Sequence, residues 1–547
     1  MPPLLEFLRA ESQISLRRFF LLSMVSGLSN ALVLTILNNA SASGKSDGRF
    51  YLLILAQLMI VTYAVSQRYL TVSSVSEVER VLHKIRVRVA DKIRKAELRE
   101  LETVGRARIY ATVSKETMTI SQASLALVLG CQAAILLVFA SIYIAILSLP
   151  ALVVSILGVS VAGVIYFRNM APLRQTMDES VSCDNDFFEK LTHVLDGFKE
   201  TKLHLPRNAE LFEHLREISD AATVLKIQTQ SRFSELLIFT QIASYVLIAA
   251  TVFLLPQLGN TQETVVKTTA SLLFIFGPIS TLFAAIQPFV RANAAAHRIS
   301  AVEAGLAPSA ARALPQTAVE TKWGREFAKI SMHDVLFHFP PRDTEPGFSV
   351  GPINFELRRG EVVFVVGGNG TGKSTFLMLL TALYRPQSGV IRVDGETMTG
   401  REELQRTLFS SVFADYHLFR RLYGLGNVPA SEVDALLRRM QLDHKTRLVD
   451  RDFETLDMST GQRKRLGLIV SLLEDRPIYV FDELAADQDA VFRRYFYMEI
   501  LAEMKARGKT VITVTHDDRY WHVADRVYEM KEGQLRERFR PNEEVAP

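Results

Sequence analysis

Residues Gly367-Gly368-Asn369-Gly370-Thr371-Gly372-Lys373-Ser374 place a lysine and a hydroxyl behind a run of closely spaced glycines. The spacing is G-x-x-x-x-G-K-S. It follows an apolar stretch, Val362–Val366, and precedes a helical one, Thr375–Tyr384. Glycines let backbone N–H groups turn toward an anion without interference from Cβ, and the N-terminus of the following helix adds partial positive charge. In that context Lys373 neutralises the β- and γ-phosphates of a nucleoside triphosphate, and the Ser374 hydroxyl holds Mg²⁺. A second apolar strand, Ile478–Phe481, ends in Asp482-Glu483, 109 residues beyond the lysine. An acid at such a strand end reaches Mg²⁺, which suits Asp482. Glu483 then faces the γ-phosphate, where it polarises an attacking water. A pair of acids after a strand says little alone; with the glycine loop it describes phosphoryl-transfer chemistry.

The elements that must position these residues occupy only the end of the chain. From Phe327 onward strand and helix signals alternate, giving one α/β domain over 327–547. Before it, Ala301–Val319 is rich in Ala and Pro without periodicity, and 301–326 reads as a linker. The first 300 residues are different in kind. Phe19–Gly44, Phe50–Gln67, Thr117–Phe167 and Thr268–Val290 contain no Asp, Glu, Lys or Arg, and Leu236–Thr264 contains only Glu263. About 20 apolar residues cross a hydrocarbon core. The run from Thr117 holds 51 and divides at Ser148-Leu149-Pro150. The chain therefore has six expected spans, near 19–38, 50–67, 123–147, 150–167, 236–256 and 268–288.

Composition agrees. The 547 residues are 48% hydrophobic with mean hydropathy +0.14, against both disorder and an ordinary water-soluble chain. Two cysteines, Cys131 and Cys183, exclude a disulfide framework and a Cys-rich zinc domain. A net charge of +4 gives no basis for a nucleic-acid partner. Lysines and arginines are distributed 24 to 3 between the two sides of the expected spans. This places both termini and both long connections in the cytoplasm. The N-terminal stretch reads as an uncleaved first helix rather than a signal peptide, since no A-x-A site follows it. Val75–Glu102 carries Val, Ile and Leu at spacings of three and four without Gly or Pro, so the membrane helix is expected to continue into the cytoplasm. Phe187–Phe233 is similar, interrupted by Gly197 and Pro206. Asn30, Asn38, Asn39, Gln57, Gln132, Gln241 and Gln287 lie inside the spans, where amides face other helices or a wet cavity. Gly277-Pro278 and Pro288 are expected to kink the last span.

Further motifs carry a resemblance. Met458-Ser459-Thr460-Gly461-Gln462, 20 residues before the second strand, resembles the signature motif of ABC ATPases. Asp482-Glu483 followed by Ala486-Asp487-Gln488-Asp489 resembles their Walker B and D-loop, and His516, after Thr510–Thr515, their switch histidine. Phe339 falls where the family has an aromatic that stacks on adenine. With six spans ahead of them, the whole chain resembles a type I ABC exporter half-transporter. Its wording, GGNGTGKST (through Thr375), MSTGQRKRL and FDELAADQD, is similar to the bacterial exporters of cyclic peptides and siderophore precursors, of the pyoverdine and syringomycin kind. The resemblance implies a multi-domain membrane protein: an all-α six-helix transmembrane domain over 1–300 and an α/β P-loop ATPase domain. It also implies that Ser459, Thr460, Gly461 and Gln462 contact ATP bound by the opposite subunit, that His516 holds the γ-phosphate, and that the unit is a homodimer with two competent sites.

Two departures from the family pattern stand out. The expected Q-loop glutamine, a Mg²⁺ ligand, aligns with Ala414, so Asp415 or a water is expected to take its metal contact. Thr460 replaces the second signature glycine. A soluble ABC protein is excluded by the spans, and an importer is disfavoured by fusion of both parts in one chain. The expected protein is an ATP- and Mg²⁺-dependent exporter in a bacterial inner membrane, embedded in lipid. Its cargo is expected to be a cyclic peptide, lipopeptide or siderophore precursor; a multidrug or lipid exporter is the alternative. Only 18 residues precede Phe19, so no leader-peptidase domain is expected.

Overall fold

Turns at Ser148, His204 and Thr261 decide where the helices of the first half begin. Ser148 is extended and its hydroxyl accepts from the Ala151 N–H at 3.3 Å, with Pro150 in the first turn of the helix that follows. His204 Nδ1 accepts from Arg207 N–H at 3.2 Å ahead of Pro206, and the Thr261 hydroxyl accepts from Thr264 N–H at 3.3 Å. The computed structural model describes Glu6 and residues 16–42, 49–306, 327–341 and 347–539; most of the expected linker lies outside them.

Contacts divide the chain into two units, one comprising Met1–Arg94 and Val104–Leu306, the other Lys95–Thr103 and Ala307–Pro547. Helices α1 (Leu16–Ala42), α2 (Arg49–Lys95), α3 (Leu98–Val104), α4 (Arg106–Leu147, passing through a π-type turn at Thr112–Glu116), α5 (Leu149–Asp196), α6 (Phe198–Leu203), α7 (Leu205–Leu254) and α8 (Gln262–Gly305) follow in order. Among the described residues, six of them are long and apolar enough to cross a membrane. Phe50, Ile146, Val164 and Phe253 are more than two-thirds exposed, as side chains solvated by lipid would be.

The helices extend well past their apolar stretches. There Val81, Leu82, Ile85 and Val89 of α2 bury against Ile120 and Ala123 of α4 and Ala292, Ala295, Ala296 and Ile299 of α8. The small residues on α8 let the three backbones approach. Ion pairs lock the same bundle: Arg88 to Glu303 at 2.7 Å, and Arg298 to both oxygens of Glu116 at 2.8 and 2.7 Å. The periodic stretch Val75–Glu102 is not one helix. It breaks after Lys95, and the Glu100 carboxylate accepts from the Glu97 N–H at 3.1 Å to start α3. No glycine or proline marks that break. Tertiary partners of Glu97 and Leu98, described below, hold it.

In the second unit, β1 (Lys329–Phe339), β2 (Phe348–Arg358), β4 (Ser388–Val393) and β5 (Glu396–Thr397) form an antiparallel sheet in the order β2-β1-β4-β5. The main sheet has the order β12-β11-β3-β10-β9-β6, from β3 (Val362–Val366), β6 (Phe409–Val412), β9 (Ile478–Asp482), β10 (Thr510–Val514), β11 (Arg526–Lys531) and β12 (Gln534–Phe539). A small hairpin pairs β7 (Leu448–Val449) with β8 (Asp452–Phe453). Strands β3, β9 and β10 are buried at every residue, as expected of parallel strands covered on both faces.

Candidate nucleotide site

Four neighbouring parallel strands, β3, β10, β9 and β6, end at one edge of the main sheet. Val514 aligns with Val365 on one side and Asp482 on the other, and Val412 aligns with Phe481. The segments leaving them carry Gly367–Ser374, His516, Glu483 and Ala414-Asp415. Crossovers therefore bring together groups that lie up to about 150 residues apart in sequence. The carboxyl edge of a parallel sheet is where α/β folds bind ligands.

The loop after β3 depends on glycine at specific points. Gly367 has φ 143°, and a Cβ there would come within 2.3 Å of the Met530 carbonyl oxygen. Gly372 has φ 106°, and a Cβ would meet Val350 at 2.9 Å. The loop opens helix α9 (Lys373–Leu380), with Thr375 in its first turn. The Thr371 hydroxyl donates to Gly368 O at 2.9 Å, and Lys373 Nζ donates to the Gly367 and Gly368 carbonyls at 2.9 and 2.8 Å. Burial pushes the Lys373 ammonium below the ordinary lysine value, against the pull of Glu483 and Asp482. Gly368, Asn369 and Gly370 are exposed at the mouth of the loop. This cradle of backbone donors around a cation fits a polyphosphate.

Ser374 Oγ lies 3.4 Å from Asp482 Oδ2, at the floor of the site. Burial holds the Asp482 carboxyl above its ordinary range, and the neighbouring charge of Glu483 adds to this. The Ala414 backbone N–H, the Ser374 hydroxyl and Lys373 oppose it. Among the described residues no group of three or more His, Cys, Asp or Glu could hold a metal alone. The site offers Mg²⁺ one hydroxyl and one carboxylate, which suits an ion that keeps its waters and binds largely through substrate phosphates. Asp415 is exposed; the position left without glutamine contributes its Ala414 N–H to Asp482 instead.

Glu483 sits in the left-handed region at φ 52°, a costly conformation for a side chain with a Cβ. Its N–H donates to Val514 O at 3.2 Å and its carbonyl accepts from Lys464 Nζ at 2.9 Å, so the backbone is pinned from both ends. The Glu483 carboxylate lies 3.1 Å from His516 Nε2. A cavity of about 400 Å³ opens beside the pair, lined also by Arg493, Tyr497 and Asp517.

Ser459 caps helix α11, which follows α10 (Ala430–Arg439) in the chain and spans Thr460–Leu473. It forms a reciprocal box with Gln462: Gln462 N–H to Ser459 Oγ at 3.4 Å, and Ser459 N–H to Gln462 Oε1 at 3.1 Å. Gln488 Nε2 donates to Gly461 O at 2.9 Å, and a Cβ on Gly461 would stand 2.7 Å from Asp487 O. Thr460, where the resemblance implies a second signature glycine, stands in the first turn and is exposed. Among the described residues, no hydrogen bond joins Ser459–Gln462 to the loop Gly367–Ser374 of the same chain. Phe339 ends β1, half-buried, with ring centroids 4.9 Å from Phe337 and 6.1 Å from Tyr384.

Lys464 is a residue of the candidate site that the sequence reading missed. It is 5% exposed, binds the Glu483 carbonyl, and reaches Asp487 at 2.7 Å, so one ammonium ties the strand end to the D-loop. Its signal was present in the run Arg463-Lys464-Arg465, but nothing in that run tells which cation turns inward. Also missed was the segment 95–103. Within its unit, Leu98 packs on the core beneath β1 and β2, Glu97 meets Arg385 at 2.5 Å, and Tyr384 donates to Glu102 at 2.9 Å. The Arg99 guanidinium lies 5.1 Å from the Phe337 ring and 5.8 Å from that of Phe339.

Residues 350–486 match the family model described as ABC transporter. The chain is 28% identical over 541 residues to the ATP-binding protein SyrD of Pseudomonas syringae pv. syringae, covering 94% of this chain and 92% of that protein. It is 32% identical over 200 residues to the probable syringafactin export ATP-binding/permease protein SyfD of Pseudomonas syringae pv. syringae (strain B728a), covering 34% of this chain and 30% of the relative. A bacterial Atm1-family ABC exporter solved with ATP bound has a similar fold, with TM-score 0.75 and 17% identity over 95% of this chain and 94% of that one.

Proposed function

We propose, for a chain that joins an ABC transporter ATPase domain to six membrane helices in an ABC exporter fold, that two copies form a homodimer exporting a peptide-type natural product. The ATPase domain hydrolyses ATP, and the architecture is that of an exporter half. The observation that carries the dimer is that, among the described residues, the signature Ser459–Gln462 is bonded to its own D-loop and makes no hydrogen bond to the loop Gly367–Ser374. A second copy is the simplest source of a signature to complete each site.

In this reading Lys373 and the loop N–H groups bind the β- and γ-phosphates, Ser374 and Asp482 hold Mg²⁺, and Phe339 stacks on adenine. Asp415, or a water beside it, takes the metal contact left open at Ala414. Glu483 polarises the attacking water, and His516, 3.1 Å away, orients that carboxylate and holds the γ-phosphate. Mg²⁺, when bound, neutralises charge on the transferring phosphoryl group. Shared binding of ATP draws the two ATPase domains together, and hydrolysis releases them. The segment 95–103 is the covalent continuation of α2, so movement of the ATPase domain is transmitted to that helix. The termini and ATPase domain lie in the cytoplasm and the helices in the bacterial inner membrane, supported by the 24-to-3 distribution of basic residues.

The motif resemblance read from the sequence, together with the likeness to SyrD over 94% of this chain, supports a secondary-metabolite cargo of peptide type. A drug or lipid cargo is the second reading, favoured by the uncharged spans alone. The test is ATP hydrolysis by the purified chain in lipid nanodiscs, with and without candidate lipopeptides, lipids and drugs. Stimulation only by lipids or drugs overturns the peptide reading; no ATP turnover under any condition overturns the exporter reading.

A further inference from the structure

Four helices of the membrane unit, α1, α2, α4 and α8, line a cavity of about 260 Å³. That is below the roughly 300–1,000 Å³ of a site for a whole drug-sized ligand, so it would take one segment of a larger molecule. No charged side chain lines it. Its wall carries a relay of amides from three helices: Ser26 Oγ donates to Gln67 Oε1 at 3.2 Å, and Gln67 Nε2 donates to Gln132 Oε1 at 2.6 Å. The relay ends there. Gln132 is 9% exposed and its Nε2 has no hydrogen-bond partner.

An unmade hydrogen bond at a buried amide is destabilising, and surrounding lipid offers no water to relieve it. Asn38, the comparable amide higher on α1, is satisfied by Tyr143, Lys267 O and Ser271 at 3.2–3.3 Å. Of these two amides, the one left without a partner is the one on the cavity wall. Acceptors lie on the same wall. Pro278, inside α8, has no N–H, so the Phe274 carbonyl one turn earlier is left without its ladder donor. Gly277 removes the side chain beside it: a Cβ there would meet nothing within 4 Å. Asn30 and Tyr63 add an amide and a phenol.

We propose that this cavity binds an uncharged peptide segment of the cargo. A cargo carbonyl oxygen accepts from Gln132 Nε2, and cargo N–H groups face the Phe274 carbonyl and Asn30. An ionised headgroup is rejected, because nothing in the wall repays its desolvation. The inference rests on the export reading above and names the part of the cargo that is recognised.

The test is equilibrium binding of tritiated N-decanoyl-Gly-Ser-Leu-amide to the full-length protein in nanodiscs of phosphatidylethanolamine and phosphatidylglycerol, without nucleotide. Gln132→Leu removes the donor at similar volume and is expected to weaken binding about fivefold or more, the worth of one hydrogen bond. Gly277→Leu fills the cavity from a position with open space, and gives the same loss if Gln132→Leu does not fold. The probe methylated at every amide nitrogen binds the unaltered protein about fivefold more weakly. Gln241→Leu, an amide on α7 outside the cavity, leaves binding unchanged. Equal binding by all variants, equal binding of the methylated probe, or no saturable binding each overturns the proposal. ATP turnover is read in the same nanodiscs. Its absence defeats the export reading, whereas turnover with unselective probe binding defeats the cavity alone.

Discussion

The phosphate loop and the amide-lined membrane cavity solve recognition in opposite ways. At Gly367–Ser374 the donors are backbone N–H groups fixed by left-handed glycines, and ions close by set the charge: Lys373, Asp482 and Glu483. The cavity lined by α1, α2, α4 and α8 holds no charged side chain, and the donors and acceptors are side-chain amides and a carbonyl freed by proline. The difference follows from solvent. A charge at the water-facing edge of a sheet costs little and binds polyphosphate strongly, whereas a charge among lipid-embedded helices costs several kcal/mol before it binds anything. The ATPase site is therefore built for affinity and chemistry, the cavity for selection among neutral groups.

The largest expected effect tests the chemical side. Glu483→Gln should lower phosphate release by about a hundredfold or more while the protein retains ATP, because the variant keeps the binding loop and loses the base. Turnover close to that of the unaltered protein would remove Glu483 from its role. Next, Lys373→Ala should weaken ATP binding by about 10- to 100-fold, the worth of charge-assisted hydrogen bonds, measured by equilibrium dialysis. No equal loss is available in the membrane cavity, where each contact is neutral.

Backbone geometry gives the next contrast. Gly367→Ala meets both a positive φ and the Met530 carbonyl, and should abolish nucleotide binding or folding of the ATPase domain. Gly370→Ala has φ 74° but open space, so only about 1 kcal/mol of conformational strain is expected, seen as a small fall in thermal midpoint. Equal effects would show that crowding does not decide this loop. Lys464→Met should slow turnover about tenfold with ATP retention kept, since it positions Glu483 without touching phosphate; unchanged turnover would make the residue merely structural.

The smallest effects are in pH, and two aspartates should show opposite signs. The Arg519 hydrogen bond, with Arg493 behind it, holds Asp517 below its ordinary range. Its stabilisation is present above the unfolded carboxyl value near 3.9 and is lost as pH falls through the lower native value. Asp482 is raised, so ionising it costs stability above its native value, and that cost disappears as pH falls below the unfolded one. At neutral pH without nucleotide, Asp517→Asn should lower the thermal midpoint and Asp482→Asn should raise it. Both differences should shrink in acid. Shifts of the same sign would contradict the assigned causes.

Much of this was legible in residue order. The glycine loop after an apolar strand, the acids after β9, and the break at Ser148-Leu149-Pro150 are local: each depends on residues within one turn or strand. The helix break after Lys95 was not legible, because no proline or glycine marks it and Glu97 and Leu98 are held by Arg385 and the β1–β2 core. Lys464 was hidden for a related reason. Periodicity gives a face of α11, but only the fold puts the Glu483 carbonyl against that face.

Sequence by itself determined the apolar lengths that demand lipid and the loop chemistry that demands phosphate, since both arise from neighbours along the chain. Tertiary structure decided which distant groups meet. Ser26, Gln67 and Gln132 are separated by 41 and 65 residues, yet form one relay because three helices converge on them. Hydrogen bonds act over about 3 Å, so a polar residue's meaning lies in what the fold brings within that reach.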